Sequence, residues 1–174
     1  MKEPKPIPQV PAALCGSFEG AHLVATERIV GLFGAPIPAN ARLVAGEVDS
    51  VDGQRFLTVA GRSPLGVLVE VMVREKDWGK LVLVLDSPLA LCHAARWLAG
   101  RLGLDPGVTA PEWRYNGSHW YLMCVGGKVA YFYDYENGPT KQTEYSWWLR
   151  VPGVNNMSPA EALAAACVAV GGAP

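Results

Sequence analysis

The chain has no long apolar run, no excess of either charge and no cysteine pair at metal or redox spacing, and each absence removes a class of protein. No stretch of about 18 apolar residues exists to span a bilayer as a helix. Met1–Pro11 carries Pro4, Pro6, Pro8 and Pro11 with no apolar h-region, so no secretion signal is read there, and cytoplasmic residence is expected. Fifteen Lys and Arg against 16 Asp and Glu give a formal charge of −1. That denies the chain the phosphate-neutralising excess a nucleic-acid binder relies on, and nucleic acid is not expected as a direct ligand. The four cysteines, Cys15, Cys92, Cys124 and Cys167, are expected as reduced thiols in such a compartment. His22, His93 and His119 are scattered without ligand spacing, which predicts no metal site. The glycines mark turns and form neither Gly-x-Gly-x-x-Gly nor a Walker loop, so no cofactor is predicted.

What is present suits a folded α+β protein. Half of the 174 residues are apolar and 18% are charged, a globular balance able to bury roughly 70% of the unfolded surface. Residues 1–16 read as an extended, proline-rich arm. The spacing of Leu23, Ile29, Val30 and Phe33 predicts a helix from about Ser17 to Phe33, stopped by Gly34 and Pro36. Four strands should follow. Ala41–Val51 and Gln54–Ala60 flank the hairpin signal Asp52-Gly53. Leu65–Arg74 sets Leu65, Val67, Val69, Val71 and Val73 on one side, and Leu81–Leu85 is apolar throughout and so predicted central.

Residues 86–174 repeat the theme. Ser87-Pro88 opens a helix with a stripe of Leu91, Ala94, Ala95, Leu98 and Leu102. Strands are predicted around Trp113–Tyr115, Ser118–Val125, Lys128–Tyr135 and Glu144–Val151, linked by Asn116-Gly117, Gly126-Gly127 and a loop with Asn137-Gly138-Pro139. Ser158-Pro159-Ala160-Glu161 is a capping box that starts a closing helix, uncharged from there to Val170. The expected fold is α+β: two closely packed halves, 17–85 and 86–174, each a helix plus an antiparallel four-stranded meander, with a closing C-terminal helix.

Eleven of the sixteen aromatic residues fall between Trp113 and Trp148. Two-residue turns fix register, so Gly126-Gly127 pairs Cys124 with Val129, Leu122 with Tyr131 and Trp120 with Tyr133. Asn116-Gly117 likewise sets Trp113 opposite Trp120. These seven residues then share a core face. The other face carries Arg114, His119 and Asp134 in a row, flanked by Tyr121 and Phe132, and joined by Trp148 and Arg150. Tyr, Trp and Arg are the residues enriched where proteins bind partners. The same face could equally be covered by the first helix or the N-terminal sheet.

Arg114–His119–Asp134 resembles part of a catalytic relay, with Asp orienting His as base. It lacks a nucleophile, because Cys124 and Ser118 fall on the core side; an ion-paired structural histidine is the simpler reading. Cys92 and His93 diverge by about 100° around their helix and form no dyad. Asp134, Glu136 and Glu144 lie near Tyr133, Tyr135 and Trp148, but a glycosidase needs a set carboxylate separation that sequence does not supply.

Residues 86–172 resemble small phage-encoded α/β/α sandwich domains, including the NinX-like group, through the Ser87-Pro88 helix, the aromatic strands and the Ser158-Pro159-Ala-Glu-Ala-Leu-Ala-Ala-Ala helix. The resemblance implies a phage or mobile-element origin and a small accessory role, and it carries over no functional residues. The leading expectation is a non-catalytic protein that occludes or holds a bacterial host protein, of the anti-defence inhibitor type, through Arg114, His119, Tyr121, Phe132, Asp134, Trp148 and Arg150. A sugar- or nucleotide-binding module on the same aromatics, and a hydrolase centred on His119 and Asp134, are the alternatives.

Overall fold

Alternation, rather than helical spacing, organises the start of the chain. The computed structural model describes residues 9–11, 18–107, 110–136 and 141–171, and it divides into two compact units after Ala90. In the first unit, β1 (Gln9–Pro11), β2 (His22–Ala25), β3 (Ile29–Val30) and β4 (Pro36–Ile37) replace the helix predicted over 17–33. Leu23 and Ala25 are buried while His22 is exposed, a period of two. Gly20 sits at φ 80°, which an α-helix does not admit, and pairing to long neighbouring strands outweighs the weak 3.6 spacing. Of the expected arm, Gln9–Pro11 is this edge strand, with Val10 fully buried; the rest of residues 1–16 lies outside the described residues.

The strands β5 (Arg42–Val51), β6 (Gln54–Arg62) and β7 (Leu68–Arg74) form the predicted antiparallel ribbon. Asp52 at φ 50° and Gly53 at φ 77° close its first turn, which sets Val51 opposite Gln54. A bulge between Ala45 and Val48 shifts the register of β5 against β6. β8 (Leu81–Val84) does not extend this meander. It inserts between β1 and β2, giving the order β1-β8-β2-β5-β6-β7. A 3₁₀ turn, Glu75–Lys80, redirects the chain there, anchored by buried Trp78, whose indole N–H donates to the Val73 carbonyl at 3.0 Å. Phe18 meets the Trp78 ring edge-on at 6.3 Å. Because β7 is left at the sheet edge, only Val71 and Val73 of its predicted stripe are buried; Leu65, Val67 and Val69 are exposed.

Ser87 Oγ accepts the Ala90 N–H at 3.2 Å and caps α1 (Pro88–Arg101), the helix within which the chain passes from the first unit to the second. Five strands follow: β9 (Glu112–Tyr115), β10 (Trp120–Met123), β11 (Val129–Tyr133), β12 (Lys141–Gln142) and β13 (Ser146–Arg150). Their order is β12-β13-β11-β10-β9, and β13 runs parallel to β11. The predicted four-stranded meander therefore fails at its last step: a parallel neighbour cannot be reached by a hairpin, and β12 pairs antiparallel on the outer side of β13. The Asn137-Gly138-Pro139 loop lies outside the described residues.

The closing helix, α2 (Pro159–Gly171), starts as the capping box requires. Ser158 Oγ accepts the Glu161 N–H at 3.3 Å, and Glu161 Oε2 accepts the Ser158 N–H at 2.8 Å. Its Ala162, Leu163, Ala166 and Cys167 are buried. The Trp113 indole donates to the Pro159 carbonyl at 3.0 Å, which fastens β9 to the helix start. Cys167 Sγ lies 3.7 Å from the Ala94 carbonyl and ties α2 to α1. The described chain is thus α+β with mainly antiparallel sheets, and none of its helices is long and apolar enough to cross a membrane.

Candidate functional site

Two loops decide which aromatic side chains share a face. Between β9 and β10 the turn closes one residue later than predicted: the Asn116 N–H donates to the His119 carbonyl at 3.1 Å, with Gly117 at φ 92°. Asn116 Oδ1 accepts the N–H groups of Ser118 at 3.0 Å and His119 at 2.9 Å, which holds the bend. Trp113 therefore pairs with Leu122, a slip of two residues that leaves the faces unchanged.

The second loop changes them. Val125–Gly127 forms a three-residue connection, with Gly126 at φ 79°, Gly127 at φ 72°, and the Cys124 N–H donating to the Lys128 carbonyl at 2.9 Å. Trp120 then pairs with Phe132 and Leu122 with Ala130, one residue away from the two-residue-turn register. A slip of one turns a whole strand over. Phe132 and Ala130, placed on the outer face by sequence, are fully buried, and Phe132 packs on Trp113 at 5.6 Å. Tyr131 and Tyr133 take their place on that face, Tyr131 partly exposed and Tyr133 buried under its neighbours.

The relay is dismantled by the same flip. Asp134 accepts a hydrogen bond from Asn155 Nδ2 at 2.7 Å, in the turn Val154–Asn156 whose Val154 carbonyl receives the Trp120 indole at 3.0 Å. Asp134 thus belongs to the Trp120 side. His119 is on the other side, edge-on to Tyr131 (5.7 Å), Tyr135 (6.0 Å) and Trp148 (5.2 Å). Its Nδ1 is buried with no hydrogen-bond partner, so no carboxylate orients the ring as a base. Arg114 is exposed and ion-paired with Glu112. Among the described residues no group of three His, Cys, Asp or Glu is placed to hold a metal ion.

What the register does assemble is a ladder. Arg114 pairs with Tyr121, Tyr121 with Tyr131, and Tyr131 with Trp148, one residue from each of four adjacent strands. Paired side chains point the same way, so the four line one face over roughly 14 Å, three strand spacings. Tyr131 and Trp148 stack at 4.3 Å with planes 24° apart, and Tyr121 lies 6.4 Å from Tyr131. In the next row Arg150 is opposite Tyr133 and exposed. Tyr133 is buried beneath Trp148 and Tyr135, at 6.1 and 5.7 Å. The Tyr135 hydroxyl lies 3.1 Å from Ser118 Oγ. Tyr121, Tyr131 and Trp148 are each partly exposed.

Of the seven residues expected to form the surface, Arg114, His119, Tyr121, Trp148 and Arg150 lie on it; Phe132 and Asp134 do not. Tyr131, Tyr133 and Tyr135 were missed. The signal that could have found them is Lys128–Tyr135 read with a three-residue loop, since Gly126-Gly127 after a valine admits either loop length. Compared with protein-family models, curated proteins and solved structures, the chain matches none.

Proposed function

We propose that this chain is a non-catalytic binding protein that holds or occludes a protein partner through the Arg114–Tyr121–Tyr131–Trp148 ladder and the adjoining Arg150. We take a bacterial host protein as the partner and the host cytoplasm as the place, on the resemblance of residues 86–172 to phage-encoded domains alone. One observation carries the reading: an in-register row of Tyr, Tyr and Trp with an arginine at its end and a second in the next row. Rigid aromatics cost little side-chain entropy on binding, and Tyr, Trp and Arg supply most interface hot spots.

The stack bears on the choice between partners. Rings 4.3 Å apart with planes 24° from parallel cover one face of each other, so Tyr131 and Trp148 have fewer ring faces free than separate aromatics would. A sugar or base needs an open ring face to lie on, whereas a protein surface can use edges, hydroxyls and guanidinium groups. Separation of His119 from Asp134 removes the support for the hydrolase alternative.

The test is capture from bacterial lysate with tagged wild type, Tyr121→Ala and Arg150→Glu, followed by titration of the captured protein. Each substitution should weaken binding about 30-fold or more, the effect of a 2 kcal/mol hot spot, with melting temperature unchanged within a few degrees. Equal binding by all three would refute the surface. A saturable change in tryptophan fluorescence on adding oligosaccharides or nucleotides would replace this reading with the small-ligand one.

A further inference from the structure

Turn chemistry is broken at one place in the first unit. The Gly34 N–H donates to the Gly31 carbonyl at 3.2 Å, closing a four-residue turn whose third residue is Phe33, at φ 60° and ψ 20°. A positive φ there calls for Gly or Asn. The chain obeys the rule at Asp52-Gly53. At Phe33 it places a bulky side chain in a region that is strained for such residues, and the ring is 95% exposed, so burial does not offset the strain. The loop is firmly seated: a Cβ on Gly31 would fall 2.1 Å from Val71 Cγ1, so the backbone of the β3–β4 hairpin lies directly on β7.

A second apolar feature lies at the start of that strand and in the turn before it. Leu65 is 90% exposed, Leu68 64%, Val67 59% and Val69 41%, around the end of the β6–β7 hairpin. β7 is the last strand of its sheet, and although Glu70 and the preceding Pro64 blunt it in the usual way, its apolar residues stay exposed.

We propose that these features are two parts of one self-complementary interface, and that the chain forms a twofold-symmetric dimer in which Phe33 of each copy packs on the Leu65–Val69 strip of the other. Area is the first argument. An aromatic side chain brings about 150–250 Å², and with Val30, Leu65, Val67 and Val69, leaving out Leu68 on the opposite face of β7, the exposed apolar area is on the order of 500 Å² per copy. That approaches the roughly 800 Å² per side of a standard interface and sits at the top of what a monomer leaves exposed. Symmetry is the second. A protruding ring and an apolar hairpin end satisfy each other when two copies are related by a twofold axis, and such contacts close rather than polymerise. A formal charge of −1 sets no repulsion against self-association. The aromatic ladder lies in the other unit, so this inference does not depend on it.

Sedimentation equilibrium of the full chain from about 1 to about 100 µM tests it. The wild type should show twice the 18.6 kDa chain mass, and Phe33→Asn and Val67→Lys should each return the monomer. Phe33→Asn should also melt no lower than wild type at the dilute end, because the turn prefers asparagine. A wild type that stays monomeric throughout overturns the proposal, as does a Phe33→Asn variant that stays dimeric. Arg114→Glu should leave the mass unchanged; if it yields monomer, the dimer uses the aromatic face and the assignment to Phe33 fails.

Discussion

Substituting two neighbours, Tyr131→Ala and Phe132→Ala, tests the register on which the binding surface rests. Phe132 is fully buried against Trp113. Removing it loses about 1.5–3 kcal/mol of transfer free energy and leaves a cavity, so the cost should be about 3–5 kcal/mol. Tyr131 keeps part of its surface in water and contributes chiefly its stack on Trp148, so its loss should cost about 1–2 kcal/mol. Urea unfolding followed by tryptophan fluorescence reads this unit well, since five of the six tryptophans lie beyond Ala90. With a slope of about 1–3 kcal/mol per molar urea, the two midpoints should differ by about 1 M. A Tyr131→Ala variant as destabilised as Phe132→Ala would restore the two-residue turn at Gly126-Gly127 and remove Tyr131 from the surface.

Three further outcomes follow from local geometry. Ser158→Ala removes the oxygen that accepts the Glu161 N–H and should lower stability by about 1 kcal/mol in urea titration. Burial, then the nearby charge of Asp105, raises the Cys124 thiol to about 11 from an ordinary 9.0. Its folded form keeps the proton that the unfolded chain loses first, so the contribution is whole below about pH 9 and is lost as pH rises through about 11. Wild type should therefore lose more stability than Cys124→Ala across that window in denaturant titrations. Gly31→Ala puts a methyl into Val71 and should destabilise by about 1–3 kcal/mol; in a double-mutant cycle with Val71→Ala the two changes should couple, and strict additivity would contradict the contact.

Local signals were legible wherever the chain could satisfy them without distant help. The capping box at Ser158, the cap at Ser87 and the Asp52-Gly53 turn act within four residues, and each forms as its residues dictate. The ribbon β5–β6–β7 follows, since a tight turn and alternating residues specify it together. Failures came where a distant partner chose between near-equal local options. Residues 22–25 have enough apolar character for either period, and pairing with β5 and β8 makes them a strand. β8 was read as a strand, but its neighbours lie far away in sequence, and no local pattern names them; β13 was also read, but its parallel pairing with β11 is not one a local hairpin signal can announce. At the surface, one loop residue decided whether Phe132 or Tyr131 faced outward. Arg114, Tyr121 and Trp148 survived because their strands slipped by two residues or not at all relative to the outer face.

The position of β8 has a kinetic corollary. Both of its sheet neighbours come from residues 9–25, some sixty residues upstream, so the middle of that sheet stays open until nearly the whole first unit has left the ribosome. Closing such a loop must precede any reward from the contacts it makes. Until then the β8 side of β2 is an unpaired strand flank, and pairing across it is a late step of the unit's assembly.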